Sequence, residues 1–245
     1  MNTNSKILIT GGNGMLGSSL SNALPLADKL NGKQDLDLTN TQETNDWFMD
    51  KYYDVIIHCA AFTDLKIARK NKAATYSLHF DVNKIFLSRC KKLIYISTVP
   101  VWLKGLYLND YYFDSKKNGE EVVLSKKTSA ILRTNIVGSG GLVKWATKEL
   151  SDGKKINGFT NSWFNPIHVN QASARIKKII ENNETGILEA FGNTVVSKYD
   201  FLKQVAIKKK LNENLITGKN LDIEQDLTWN VKNNEFSYKE CMELI

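Results

Sequence analysis

The stretch DYYFDSKKNGEE, residues 110–121, sets two tyrosines ahead of a pair of lysines. Tyr112 and Lys116 are four apart, which puts them on one face of a helix. A tyrosine near its ordinary pKa is a poor acid or base at neutral pH, and a neighbouring lysine cation would favour the phenolate and lower that pKa. A second pair with the same spacing, Tyr199 and Lys203 in KYDFLK, shows that spacing alone is not chemistry. The surroundings separate the two. KLIYIST reads as a buried strand ending at Ser97 and Thr98, shortly before the first pair. A hydroxyl, a tyrosine and a lysine can therefore converge at one sheet edge, with Thr98 free to donate to a carbonyl oxygen. Tyr199 and Lys203 instead follow GNTVVS, which reads as a helix cap, and are expected to be structural.

TGGNGMLG, residues 10–17, lies between a strand pattern and a helix pattern and spaces Gly11, Gly14 and Gly17 as GxxGxxG. Gly11 would permit a sharp turn. Gly14 would let backbone N–H groups approach a pyrophosphate at the helix N-terminus, where the dipole favours negative charge. Gly17 would let helix and strand pack closely. A glycine triplet is weak evidence by itself, but strand–turn–helix is the context that dinucleotide binding requires. The cofactor would be NAD or NADP. An acidic residue ending the second strand would bond the ribose of NAD, and a basic one would accept the phosphate of NADP. That strand is hard to place in LADKLNGKQDLDLTN: Asp28 argues for NAD, Lys29 or Lys33 for NADP, and the reading tilts to NADP.

These residues need a scaffold that brings strand ends together. KILIT, DVIIHCAA, KLIYIST, SAILRTNIVG and GILEAFG read as strands. GMLGSSLSNAL, the span from Ala73 to Cys90, Lys116 to Leu124, GGLVKWATKELSDG and QASARIKKIIEN read as helices. The alternation predicts an α/β fold, a doubly wound parallel Rossmann sheet with helices on both faces. Its regularity fails late in the chain. A dinucleotide-binding domain over residues 1–160 and a smaller α/β substrate lobe over 161–245, interleaved with the first, are expected.

Composition narrows the partners. The 245 residues are 42% hydrophobic and 24% charged, an ordinary globular balance. No apolar run nears the roughly 20 residues that span a bilayer, and the N-terminus enters a strand pattern at once, so a cytoplasmic protein without membrane contact is expected. The net charge of +7 is spread out, with one dense run at IKKKLNEN. That favours an anionic ligand such as a nucleotide over nucleic acid, which calls for a basic stripe with interleaved aromatics. Cys59, Cys90 and Cys241 lie far apart without metal-ligand spacing, and Cys59 and Cys90 read as core residues. His58 reads as a hydrogen-bonded core histidine and Arg133 as half of an ion pair or a carbonyl contact. Trp163, Phe164 and Asn165, ahead of Pro166, read as a loop at the substrate lobe that could stack a nucleotide base or make an apolar contact within the lobe, and Trp102 and Lys104 could border the substrate.

In their order along the chain, TGGNGMLG, LDLT, DVIIHCAA, YIST, YFDSKKNGEE, LRTNIVG, FNPIHV and GILEAFGNTVVSKYDF resemble the extended short-chain dehydrogenase/reductase family, over roughly residues 6–210. Within it the likeness is to reductases of 4-keto nucleotide-diphosphate sugars. The resemblance implies that Thr98, Tyr112 and Lys116 match the catalytic Ser/Thr, Tyr and Lys. It implies that Gly11, Asn13, Gly14, Met15 and Leu16 line the cofactor pyrophosphate, and that Asp37 and Leu38 lie near adenine. Ala60 and Ala61 would touch the cofactor from the third strand's end, Asn135 would lie near the nicotinamide, and Lys116 would also bind the nicotinamide ribose. The implied activity is NAD(P)-dependent reduction in polysaccharide biosynthesis, with hydride from the nicotinamide and a proton from Tyr112. An epimerase or dehydratase with bound NAD, and a non-catalytic nucleotide-binding subunit, are the alternatives. The implied partner is a nucleotide sugar, and a homodimer stays open. Three departures stand out: Val99 replaces an acidic residue of the relatives, GLYLNDY is a short loop before Tyr112, and His79 falls where relatives place an asparagine.

Overall fold

The computed structural model describes residues 5–99, 110–229 and 234–245. They fall into two compact units, one bounded by Met1–Arg133 and Ser173–Glu189, the other by Thr134–Ala172 and Ala190–Ile245. The chain passes between them three times.

In the first unit β1 (Ile7–Thr10) leads through the glycine turn into α1 (Met15–Ala23). β2 (Asp28–Leu30), α2 (Thr41–Trp47) and β3 (Tyr53–His58) follow. Next come α3 (Leu65–Lys70), α4 (Lys72–Tyr76), a π-helical turn (Ser77–Asp81) and α5 (Val82–Ser88). β4 (Cys90–Ser97), α6 (Tyr111–Leu124) and β5 (Ala130–Thr134) complete this run. The second unit holds β6 (Ile136–Val137), α7 (Gly141–Ser151), β7 (Ile156–Phe159), β8 (Ser162–Phe164) and β9 (Ile167–His168). α8 (Val169–Glu181) and β10 (Gly186–Ala190) return the chain to the first unit. β11 (Val196–Ser197), α9 (Lys198–Lys208), β12 (Ile216–Lys219), β13 (Gln225–Leu227) and α10 (Tyr238–Leu244) belong to the second.

The expected doubly wound sheet is present, in the order β10-β5-β4-β3-β1-β2. The pairs β1–β2, β1–β3, β3–β4 and β4–β5 are all parallel. Strands covered on both faces need unbroken apolar runs, and Val55, Ile56 and Ile57 of β3 and Leu93, Ile94 and Tyr95 of β4 are all buried. Beneath them Phe86 sets its ring 5.4 Å from Phe48 and 5.1 Å from His58. Two expected elements differ in detail. The helix read from Ala73 to Cys90 contains the π-helical turn, a widening that packs His79 inward at 0% exposure. SAILRTNIVG is two strands, because β6 leaves the main sheet to pair in parallel with β9. Asn135 marks the break: its backbone carbonyl accepts from the Ile167 N–H at 2.9 Å and its side chain donates to the Leu227 carbonyl at 2.8 Å.

The second unit, taken by itself, sets β8 between β11 and β13, pairs β12 with β7, and packs Phe164, Phe201, Val205, Tyr238 and Cys241 into a core. Ser197 caps α9 by accepting from the Asp200 N–H at 3.0 Å. Lys203 sets its ammonium 5.8 Å from the centre of the Tyr199 ring, a side-chain contact along one helix face, in keeping with a structural role for this pair. Among the described residues no helix is long and apolar enough to cross a membrane.

The aromatic layer under β3 should dominate the stability of the first unit. Phe86→Ala removes a fully buried ring and should cost about 3–5 kcal/mol, read as a lower urea midpoint at unchanged slope.

Candidate active site

Strand order places β1 between β2 and β3, so connections leave the carboxyl end of β1 and β3 on opposite sides of the sheet. Open α/β sheets bind ligands at such a point. The two strand ends are in close contact. Gly11 has φ +68°, a backbone shape L side chains rarely adopt, and a Cβ there would stand 2.9 Å from the Ala60 N and Cα atoms. The Thr10 hydroxyl bridges the same ends, 2.8 Å from His58 Nδ1 and accepting from the Ala60 N–H at 3.3 Å. His58 Nε2 lies 2.9 Å from the Leu78 carbonyl, so it carries the proton and Nδ1 accepts from Thr10. Burial drives this histidine's pKa down to about 3, and its 1% exposure and two hydrogen bonds match its reading as a hydrogen-bonded core histidine.

At the start of α1 the Gly12, Asn13 and Gly14 N–H groups donate to Leu30, Asn31 and Gly11 carbonyls. Gly14 is the N-cap and supplies no side-chain cap. The Met15 and Leu16 N–H groups come next, and no protein acceptor among the described residues meets them. With the Gly17 N–H, which likewise meets no protein acceptor among the described residues, they form the uncapped first turn that is open to an anion. Gly17 is needed for a different contact than expected: a Cβ there would run into the Gly11 carbonyl, so it seats the helix on the turn. Ala61 is half-buried just past Ala60.

The acidic candidate for the cofactor ribose is corrected by register. Asp28 opens β2 rather than closing it, and its carboxylate accepts from the Tyr53 hydroxyl at 3.1 Å. Leu30 ends the strand, and Asn31, Gly32 and Lys33 follow. Lys33, largely exposed, donates to Asp37 at 2.8 Å. Asp37 is partly buried, which works against ionisation, but hydrogen bonds from Lys33 and Thr39 prevail and hold its carboxyl below the usual range. Leu38 beside it is buried at 7% exposure. Asn135 falls in the second unit.

α6 starts on a strong cap. Asp110 accepts from the Tyr112 N–H at 3.1 Å through Oδ1 and from Arg69 at 2.5 Å through Oδ2. Tyr112 is 8% exposed and packs edge-on against His79, ring centres 5.4 Å apart. Ser115 Oγ donates to the Tyr112 carbonyl at 2.7 Å and lies 2.9 Å from His79 Nδ1. The Lys116 ammonium donates to the Ile96 carbonyl at 2.9 Å and lies 4.6 Å from the centre of the Tyr95 ring. Thr98 is half-buried immediately beyond the end of β4. The three expected residues thus stand on β4 and α6 of one unit.

The expected electrostatic relation between Tyr112 and Lys116 is not found. Burial, reinforced by Asp110, pushes the Tyr112 phenol up to about 12. Burial pulls Lys116 down to about 7, opposed by Glu120. Neither group is among the causes of the other's shift, and the ammonium is turned onto the strand carbonyl. Trp102, Lys104 and most of the loop GLYLNDY lie outside the described residues. Sequence reasoning missed Glu120, buried at 3% exposure, and Tyr95, whose ring supports the lysine. The signal for Glu120 was its place four residues beyond Lys116.

A family model described as the RmlD substrate binding domain matches residues 5–105. No curated protein matches the sequence. Among solved structures, the chain is similar to a dTDP-4-dehydrorhamnose reductase from Clostridium acetobutylicum, with 21% identity, TM-score 0.85 and 98% of both chains covered. It is similar to that of Bacillus anthracis, solved in complex with NADP, with 23% identity, TM-score 0.83 and 98% and 97% of the chains covered. It is also similar to a hypothetical dTDP-4-dehydrorhamnose reductase from Sulfolobus tokodaii, with 25% identity, TM-score 0.80 and 95% and 96% covered. The chain has the fold of the extended short-chain dehydrogenase/reductases. Within that fold its likeness is to the dTDP-4-dehydrorhamnose reductases, in agreement with the resemblance carried by the motifs.

Lys116 makes a pH prediction for the ligand-free protein. Its folded pKa, about 7, lies below the ordinary lysine value, so between the two the unfolded chain holds a proton that the folded chain has released. Stability therefore rises with pH across that window. The gain is complete above the ordinary lysine pKa and is lost as pH falls through about 7. Urea denaturation at stepped pH should show this rise, on the order of a few kcal/mol, and Lys116→Met should flatten it.

Proposed function

We propose that this chain is an NAD(P)-dependent reductase of a 4-keto nucleotide-diphosphate sugar, of the dTDP-4-dehydrorhamnose reductase kind. The observation that carries the reading is a buried Tyr112 in the first turn of α6, in the same unit as Thr98 past the end of β4 and as a glycine turn whose first helical N–H groups meet no protein acceptor among the described residues. The fit to a dinucleotide rests on that turn: Gly11 lets the ends of β1 and β3 close up, and Met15 and Leu16 offer N–H groups to a pyrophosphate. Asp37 and Leu38 are candidates for the adenine side and Ala60 and Ala61 for the β3 side. With Asp28 facing Tyr53 and Lys33 following β2, the residues favour NADP over NAD. NADP is the cofactor in the Bacillus anthracis structure.

A bound nicotinamide cofactor supplies the hydride. Tyr112 supplies the proton: with its pKa near 12 it enters the reaction as a neutral acid. The Thr98 hydroxyl holds the carbonyl oxygen, and Lys116 binds near the ribose. Epimerases and dehydratases first oxidise their sugar and need the phenolate as base. A phenol held neutral by burial favours reduction instead. Val99, at 0% exposure, adds no acid or base where the relatives carry an acidic residue.

Two variants test this. Tyr112→Phe should lower kcat for a dTDP-4-keto sugar by roughly 10²–10⁴ and leave NADPH affinity nearly unchanged, while Tyr111→Phe stays mild. Near-full turnover by Tyr112→Phe in an active preparation would remove the assignment. In Gly14→Val the new Cβ meets only the Gly11 carbonyl, at 3.0 Å, so the fold should survive while NADPH binding, followed by fluorescence titration, is lost. Failure of the unaltered protein to bind NADPH or NADH at millimolar concentration would end the dinucleotide reading.

A further inference from the structure

Lys116 is 4% exposed, and its ammonium is met by one carbonyl and one ring face. The titratable groups packed around it come from five elements. β3 and the residue after it contribute His58 and Cys59, the π-helical turn His79, and β4 Tyr95. α6 contributes Tyr112 and Glu120, and β5 contributes Arg133, which reaches the site through Glu120. Burial leaves both histidines neutral, the Cys59 thiol protonated and both phenols protonated at neutral pH. Among the described groups in this set, Glu120 is the one anion, and it lies one helical turn from Lys116 on the same face. Its carboxylate does not swing freely. Arg133 holds it in a fork, Nε to Oε1 at 3.0 Å and one terminal nitrogen to Oε2 at 2.5 Å, with both side chains largely buried.

We propose that the Glu120–Arg133 pair is a positioning device for Lys116: Arg133 fixes the Glu120 carboxylate one turn along α6, and that fixed negative charge favours the protonated form of the buried ammonium against the cost of its burial. This deepens the reductase reading, in which Lys116 serves as a cation beside the cofactor. A buried ion pair is costly to assemble and a well-packed neutral replacement is often as stable, so bracing α6 onto β5 does not by itself require charge. Holding a field on Lys116 does.

The test follows Lys116 directly by its ¹³Cε resonance in lysine-labelled, ligand-free protein, assigned as the signal missing in Lys116→Arg. Glu120→Gln and the double variant Glu120→Gln/Arg133→Gln both remove the carboxylate charge. The double variant keeps an amide pair and leaves no unpaired buried charge, so it reads the effect if the single variant does not fold. The Lys116 titration midpoint should fall by about one pH unit or more in Glu120→Gln, and by less in the double variant, which also removes the Arg133 cation. Glu120→Asp, which keeps the charge, should lie nearer the unaltered protein. A midpoint unmoved in both variants, or in the double variant where the single one does not fold, even with a lower melting temperature, would make the pair structural only and overturn the proposal. The readout needs neither cofactor nor substrate, so its failure is separate from failure of the reductase reading.

Discussion

Lys116 carries a charge into a site almost closed to water, where an unanswered ammonium is expensive. Much of the first unit is arranged around that cost. Asp110 caps α6 and so fixes where its first turn begins. Gly119 lets the helix lie close to its neighbours, since a Cβ there would stand 2.8 Å from the Tyr95 hydroxyl and collide with the His79 carbonyl. The helix therefore settles onto β4 and the π-helical turn, and the lysine lands between the Tyr95 ring and the Ile96 carbonyl. The negative charge one helical turn away is the Glu120 carboxylate, held by Arg133.

The glycine turn and this lysine site are linked by a short hydrogen-bond path. It runs from the Ala60 N–H to Thr10, from Thr10 to His58, and from His58 to the Leu78 carbonyl next to His79. The path ties the ends of β1 and β3 to the turn that packs against Tyr112. The two halves of the proposed reaction, cofactor binding and proton donation, thus rest on one buried network. Such networks specify a single arrangement when fully satisfied.

The similarity to reductases of 21–25% identity at TM-scores of 0.80–0.85 fits this picture. Apolar strands, a glycine turn and a capped helix can be kept with few identical residues, because burial constrains residue class more than identity.

Much of this was legible in local sequence. The unbroken apolar runs required buried strands, the glycine spacing required a turn into a helix, and Tyr112 and Lys116 had to share a helix face. The core role of His58 and, as one of two options, the ion pair of Arg133 were also within reach. Tertiary structure alone decided the rest. Asp28 left the cofactor edge because a three-residue strand takes its register from its neighbour, not from its own pattern. β6 left the main sheet because a distant strand, β9, offered it a partner. The direction of the Tyr112 shift and the importance of Glu120 depended on how much water reaches each group and which charges from distant segments face it. Spacing along a helix says which side chains share a face; it does not say what that face is buried against, and burial is what sets the charge.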